Sequence, residues 1–224
     1  MRKCINFILA LLKWPVAVCM VFLFLPALKA DIITVYDGLT IQVLEWFFLP
    51  VLVVLAIWLL IPGLSGSFLS ILEHEVTHMI FALLTFHSPQ DINIRPGVGG
   101  NFAFSGRGNW LIFIAPYFFP TSAALVIAAG FLYIFTGETP SNYYWLVLGI
   151  MTGYHLVSTL DEIHVEQTDF KVAGYLFSIL FLPGANLLTY GFLMSFACYG
   201  FKGWGLYLHT LHQEVTLFAR LWGL

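Results

Sequence analysis

The chain of 224 residues is 60% hydrophobic, 17% aromatic and 9% charged, with nine basic and twelve acidic side chains and a net charge of −3. Soluble domains carry about a quarter charged residues, so a surface this poor in charge excludes a water-solvated globular protein and places most of the chain in lipid. The small net charge and the absence of a basic tract give no footing for nucleic acid as a partner.

The first apolar block, Ile5 to Leu28, follows Met1-Arg2-Lys3. A basic start before an apolar run is also the form of a signal peptide. The length of the run, its interruption by Lys13 and Pro15, and Leu28 where a small residue is wanted favour a retained anchor. A second block spans Val43 to Ile61 and ends at Pro62-Gly63; a third spans Ser67 to Phe86. The polar, glycine-rich stretch from His87 to Asn109 follows. Within it, residues 92–95 and 101–104 alternate polar and apolar around a Pro-Gly-rich centre, the pattern of a short β-hairpin. Blocks four and five cover Trp110 to Phe135 and Tyr143 to Leu160, and a last block covers Val172 to Tyr199. At 1.5 Å per residue, about 20 residues cross a hydrocarbon core of roughly 30 Å. The tail, Trp204 to Leu224, mixes Trp, His, Gln, Glu and Arg with Leu, as an interfacial amphipathic helix does.

The expected fold is an all-α integral membrane protein of five or six transmembrane helices with a short membrane-associated β-hairpin. It forms a single domain over residues 1–224: N-terminal anchor helices (1–62), a core (67–185) and an interfacial C-terminal helix (204–224). Arg2 and Lys3 suggest a cytoplasmic amino terminus. Cys4, Cys19 and Cys198 are far apart in apolar stretches and form no CxxC pair, so they read as small packing residues.

Residues 74–78 read His-Glu-Val-Thr-His inside the third apolar block. On a helix, positions i and i+4 share a face, so both imidazoles can reach one metal ion. Glu75, one step round from His74, projects beside that ion, where it can take a proton from a water and pass it to a leaving amine. Ionisable groups are costly inside a membrane helix and usually mark function. Glu73 either supports the site from behind or faces a neighbouring helix. A zinc site of this kind needs a third protein ligand. The metzincin extension is absent, because Phe81 and Leu84 occupy its glycine and histidine positions. No glutamate occurs between Glu75 and Glu138 to serve as a soluble-zincin ligand. The acidic interval from Asp161 to Asp169, with Glu162, His164 and Glu166 between, therefore holds the candidates. His209, His212 and Glu214 form another His/Glu group, explained more simply by a wet interfacial helix.

These features resemble the site-2 protease family of intramembrane zinc metalloproteases. The His-Glu-x-x-His pattern lies in an apolar helix, Ile94–Phe104 resembles the family's membrane-associated hairpin, and Ala115-Pro116 is similar to its small-residue–Pro signature. The resemblance covers roughly residues 67–185. It implies Zn2+ held by His74, His78 and Asp169, Glu75 as the catalytic base, and hydrolysis of peptide bonds in or near transmembrane segments of a membrane-protein substrate. It also implies a multi-pass location in a lipid bilayer, a bacterial inner membrane or an equivalent cell membrane. The chain departs from the family at Thr168-Asp169-Phe170, where Leu-Asp-Gly is usual, and has no clear Asn-x-x-Pro. It also has no room for a PDZ domain, which marks a divergent, PDZ-less branch.

Position supports Asp169 over Asp161. Asp161 ends an apolar run beside Glu162, as at a helix end meeting water, whereas Asp169 falls in the first turn of a new helix, where the dipole favours a carboxylate. For Asp169 to reach the depth of the histidines, one of the later crossings must be broken. The other readings are a transporter with a zinc or proton site and a membrane adaptor that keeps the metal for stability. Oligomeric state has no sequence signature.

Overall fold

The computed structural model describes residues 1–61, 68–95, 99–164 and 166–223. Helix α1 runs from Arg2 to Gly38 with Pro15 and Pro26 inside it, well past the expected end at Leu28. The extension is packed against other helices. Asp31 and Thr34 are buried, and Lys29 pairs with Glu214 at 2.6 Å. The second apolar run comprises α2 (Ile41–Val43), a π-helical turn over Leu44–Phe48, and α3 (Leu49–Leu60). Its start is capped by Thr40, whose hydroxyl accepts from the Val43 N–H at 3.2 Å. The expected stop at Pro62-Gly63, the next block's start at Ser67 and the hairpin's Pro96-Gly97-Val98 turn lie outside the described residues.

Helix α4 (Phe68–Leu84) leads into an antiparallel hairpin of β1 (Pro89–Arg95) and β2 (Gly99–Phe104), with Ile92 opposite Phe102 and Asn93 opposite Asn101. The fourth block is bent, which corrects the expectation of one helix over 110–135. Helix α5 (Trp110–Ile114) tightens into a 3-10 turn at Ala115–Tyr117, and α6 (Thr121–Thr136) leaves at 83° to it. Pro116 and Pro120 supply the break, since neither has an N–H to continue the helical ladder. Helix α7 (Asn142–Glu162) is followed by the short α8 (Thr168–Ala173), and α9 (Tyr175–Tyr199) starts anew after Gly174. The final α10 is Lys202–Leu221.

Among the described residues three stretches, Arg2–Gly38, Ile41–Leu60 and Tyr175–Tyr199, are long and apolar enough to cross a membrane, and a fourth is added if the bent pair counts as one span. The higher number expected from the sequence also counted the blocks of α4, described over Phe68–Leu84, and of α7, which carries Asn142, Tyr154 and His155. Pairing between the long helices follows their small residues. The α1 and α9 helices run parallel, with Gly184 seated on the Met20 backbone; α3 and α7 run parallel, with Gly149 against the Phe47 carbonyl. A Cβ at either glycine would collide with that backbone, so the close approach depends on its absence. Helix α10 folds back on α1 and α9, burying Gly203, Tyr207 and Glu214, and presents its polar side outward.

The amino terminus of α1 holds the base of the hairpin. Arg2 donates to the Ser105 hydroxyl at 2.9 Å, and Trp110 Nε1 donates to the Leu9 carbonyl at 2.7 Å. Asn109 Oδ1 accepts from the Ile112 N–H, so its amide nitrogen donates to Asn6 Oδ1 at 3.0 Å, which leaves Asn6 Nδ2 facing His87 Nε2 at 3.3 Å. His87 must then accept at Nε2, with its proton on Nδ1 beside the Thr85 hydroxyl at 3.1 Å. Burial, and then the Arg2 guanidinium, hold this imidazole below its ordinary value. An unfolded hairpin base returns His87 to about 6.5 and binds more protons in acid. The contribution is therefore complete above that pH and lost as pH falls toward the folded value. Hydrogen exchange of the β1 and β2 amides, corrected for intrinsic rates, is expected to accelerate between pH 7.5 and 5.5. An unchanged protection pattern would remove His87 from this role.

Candidate metal centre

Helix α4 presents His74, Glu75 and His78 to one cavity, and α8 brings Asp169 to meet them. His74 Nε2 and His78 Nε2 are 3.0 Å apart, and Asp169 Oδ2 lies 3.2 Å and 3.3 Å from them. These three atoms could hold a metal ion. Each ligand is fixed from behind. The Nδ1 of His74 meets the Glu162 carboxylate, whose other oxygen accepts from the Ser70 hydroxyl at 3.1 Å. The Nδ1 of His78 lies 2.8 Å from the Ile112 carbonyl. Tyr117, fully buried, donates its hydroxyl to Asp169 Oδ2 at 3.0 Å.

Those contacts decide the tautomers. A carbonyl can only accept, so His78 carries its proton on Nδ1; His74 has a carboxylate at each ring nitrogen, and with a metal ion at Nε2 its proton stays on Nδ1, facing Glu162. Both Nε2 atoms then turn toward one carboxylate oxygen, and three such atoms within 3.3 Å require a shared proton or a metal cation among them. A His–carboxylate or His–carbonyl pairing behind each nitrogen ligand is the arrangement that orients imidazoles on metals.

Glu75 is buried and lines the same cavity of about 140 Å3, together with Phe102, Phe104 and Phe113. The β2 strand passes directly over it, and a Cβ at Gly100 would strike the Glu75 carboxylate and Ile71. Glu73 faces the neighbouring helix, the second of its expected places. Its Oε1 accepts from the Ser122 N–H at 2.9 Å, capping α6, where Pro120 provides no side-chain cap. The Thr77 hydroxyl meets Thr121 beside it. Together they fix the rotation of α4 against α6.

Of the other candidates, His164 and Glu166 are exposed and stand apart from the cavity. Asp161 does not meet water at a bare helix end as expected; its Oδ2 accepts from Trp58 Nε1 at 2.8 Å. His209 and His212 are exposed, and Glu214 is taken by Lys29. Sequence reasoning held Glu162 only as one candidate ligand among several, not as the partner of His74, and missed Tyr117. Glu162 sits in the same acidic interval as Asp169, and nothing local marks which of its members turns inward. Tyr117 directly follows Ala115-Pro116, so its position was visible but its direction was not.

The chain matches no protein-family model, no curated protein and no solved structure.

Metal affinity, measured with zinc against a competing chelator, is expected to separate these roles. Asp169→Ala abolishes tight binding, Asp161→Ala retains it, and Glu162→Ala weakens it about 10- to 100-fold. Tight binding by the Asp169 variant, in protein shown to be folded, would contradict the assignment.

Proposed function

We propose that the protein is an integral-membrane zinc metalloprotease resembling the site-2 protease family, which cleaves peptide bonds in or near transmembrane segments. The observation that carries the reading is the meeting of His74, His78 and Asp169 with Glu75 at one cavity. Tetrahedral zinc at about 2.0–2.1 Å from its ligands sets them roughly 3.3 Å apart, close to the separations of His74, His78 and Asp169. Two imidazoles and a carboxylate suit zinc, and three protein ligands leave a position open for reaction. Zinc bound there supplies Lewis acidity.

The chain's own residues do the rest. Glu75 takes a proton from the attacking water as its oxygen bonds to the scissile carbonyl carbon. It then delivers that proton to the leaving nitrogen as the C–N bond breaks. The Gly100 backbone confines the Glu75 carboxylate to the cavity. A helical substrate hides its carbonyls in its own hydrogen bonds and must unwind before it can enter. An extended segment could then add to the hairpin, whose β2 residues Gly100, Asn101, Phe102 and Phe104 border the cavity.

Two substitutions test the division of labour. Glu75→Gln preserves size and hydrogen bonding but removes the base, so zinc stays bound at wild-type stoichiometry and cleavage of a membrane substrate is lost. Cleavage at the wild-type rate would end the protease reading, and loss of zinc would make Glu75 a ligand. Gly100→Ala adds one methyl group against the Glu75 carboxylate. It is expected to lower turnover at least tenfold, with zinc retained; unchanged turnover would show that the strand does not set the base.

A further inference from the structure

A second cavity, of about 170 Å3, lies between α3, α4 and α7, on the far side of Glu162 from the metal triad. Its walls are apolar, from Val54, Ile57, Trp58 and Val157, and its polar end is Ser70, Ser158 and Asp161. The Ser70 hydroxyl is hydrogen-bonded to Glu162, so this cavity stands one hydrogen bond from the carboxylate that orients His74.

The charge at its polar end is not neutralised. Asp161 Oδ2 accepts from the Trp58 indole, which leaves lone pairs on the carboxylate to spare, and among the described residues no lysine, arginine or histidine pairs with it. Every lysine, arginine and histidine of the chain is among those residues. Asp161 also stands in the last turn of α7, which carries no basic residue, so the negative end of the helix dipole adds to its field. An aromatic ring beside an uncompensated carboxylate at the end of an apolar slot is complementary to an ammonium group on an aliphatic stem.

We propose that this cavity binds the lysine side chain of a membrane-embedded protein. A cavity of roughly 150 Å3 holds one benzene, so this one has room for four methylenes and a charged head. The ethanolamine headgroup of a lipid offers the same ammonium on a two-carbon stem. It would also bring a phosphate into a slot whose charge is already negative. Lysines are common where transmembrane segments meet the interface. The identity of the partner as a substrate rests on the protease reading. On that reading, the cavity selects substrates with a lysine near the bond to be cut.

The test is a binding measurement that needs no cleavage, so its failure and that of the protease reading are distinguishable. Full-length Glu75→Gln protein in phosphatidylcholine nanodiscs is titrated with a synthetic Leu/Ala transmembrane peptide bearing one terminal lysine, and with its norleucine twin. The lysine peptide is expected to bind at least tenfold more tightly. Asp161→Asn, which keeps an oxygen for the Trp58 N–H, is expected to abolish that preference, and Ser158→Phe, which fills the slot, to remove it as well. Equal affinities for the two peptides, or a preference that survives Asp161→Asn in folded protein, would overturn the proposal. So would a preference that disappears when phosphatidylethanolamine replaces phosphatidylcholine, since the occupant would then be lipid.

Discussion

Two imidazole nitrogens and a carboxylate oxygen crowded together in a buried space are the constraint around which the site is arranged. His74 Nε2, His78 Nε2 and Asp169 Oδ2 lie within 3.3 Å of one another. The rings are not free to rotate, because each imidazole is tied at its far nitrogen and the facing oxygen of Asp169 is itself held. Glu162 holds His74, the Ile112 carbonyl holds His78, and the Tyr117 hydroxyl holds Asp169. The supports come from the end of α7, from α5, and from the 3-10 turn that follows it. A change in any of these would let an imidazole turn away or a proton move to Nε2, and the triangle would cease to attract a cation.

The bend between α5 and α6 is what makes that arrangement available. A straight helix from Trp110 to Phe135 would carry Tyr117 past the histidines as part of one rod. Broken at Pro116 and Pro120, the chain can aim Tyr117 at Asp169 and start α6 where Glu73 caps it. The turn is itself held, since Asn186 of α9 donates to the Tyr117 carbonyl and to the Leu182 carbonyl, each at 3.0 Å. Polar groups are thus gathered inward, while α1 and α3 leave large apolar side chains such as Leu11, Leu25, Leu59 and Leu60 exposed. That inversion of the usual soluble pattern is what the composition led one to expect, and it fits the three stretches able to cross a membrane.

Much of this could be read in the sequence, for stated physical reasons. The i, i+4 histidines lie on one helical face because helical geometry leaves no alternative, and the alternation over 92–95 and 101–104 marked the hairpin. The place of Asp169 in the first turn of a helix was legible from the return of apolar residues after it. What could not be read were contacts between segments distant in the chain. Glu162 turns toward His74 and Asp161 toward Trp58, although the two are neighbours with the same charge. Only the meeting of the end of α7 with Trp58 of α3 on one side and with Ser70 and His74 of α4 on the other decides which goes where. The length of α1 was underestimated for the same reason: Asp31 and Lys29 look like a helix end until Tyr207 and Glu214 are brought alongside. Among the described residues α4 and α7, which carry the polar residues that the site requires, fall outside the three stretches long and apolar enough to cross a membrane.

The claim most exposed to test is that His74, His78 and Asp169 bind one metal ion through two imidazole nitrogens and a carboxylate oxygen. Zinc-edge X-ray absorption of the purified, zinc-loaded full-length protein measures that set directly. One zinc per chain with two imidazoles, low-Z nitrogen and oxygen neighbours at about 2.0–2.2 Å, no sulfur, and loss of the imidazole signal in His74→Ala is the predicted result. A sulfur neighbour, an all-oxygen shell, or an unchanged spectrum in that variant would contradict it.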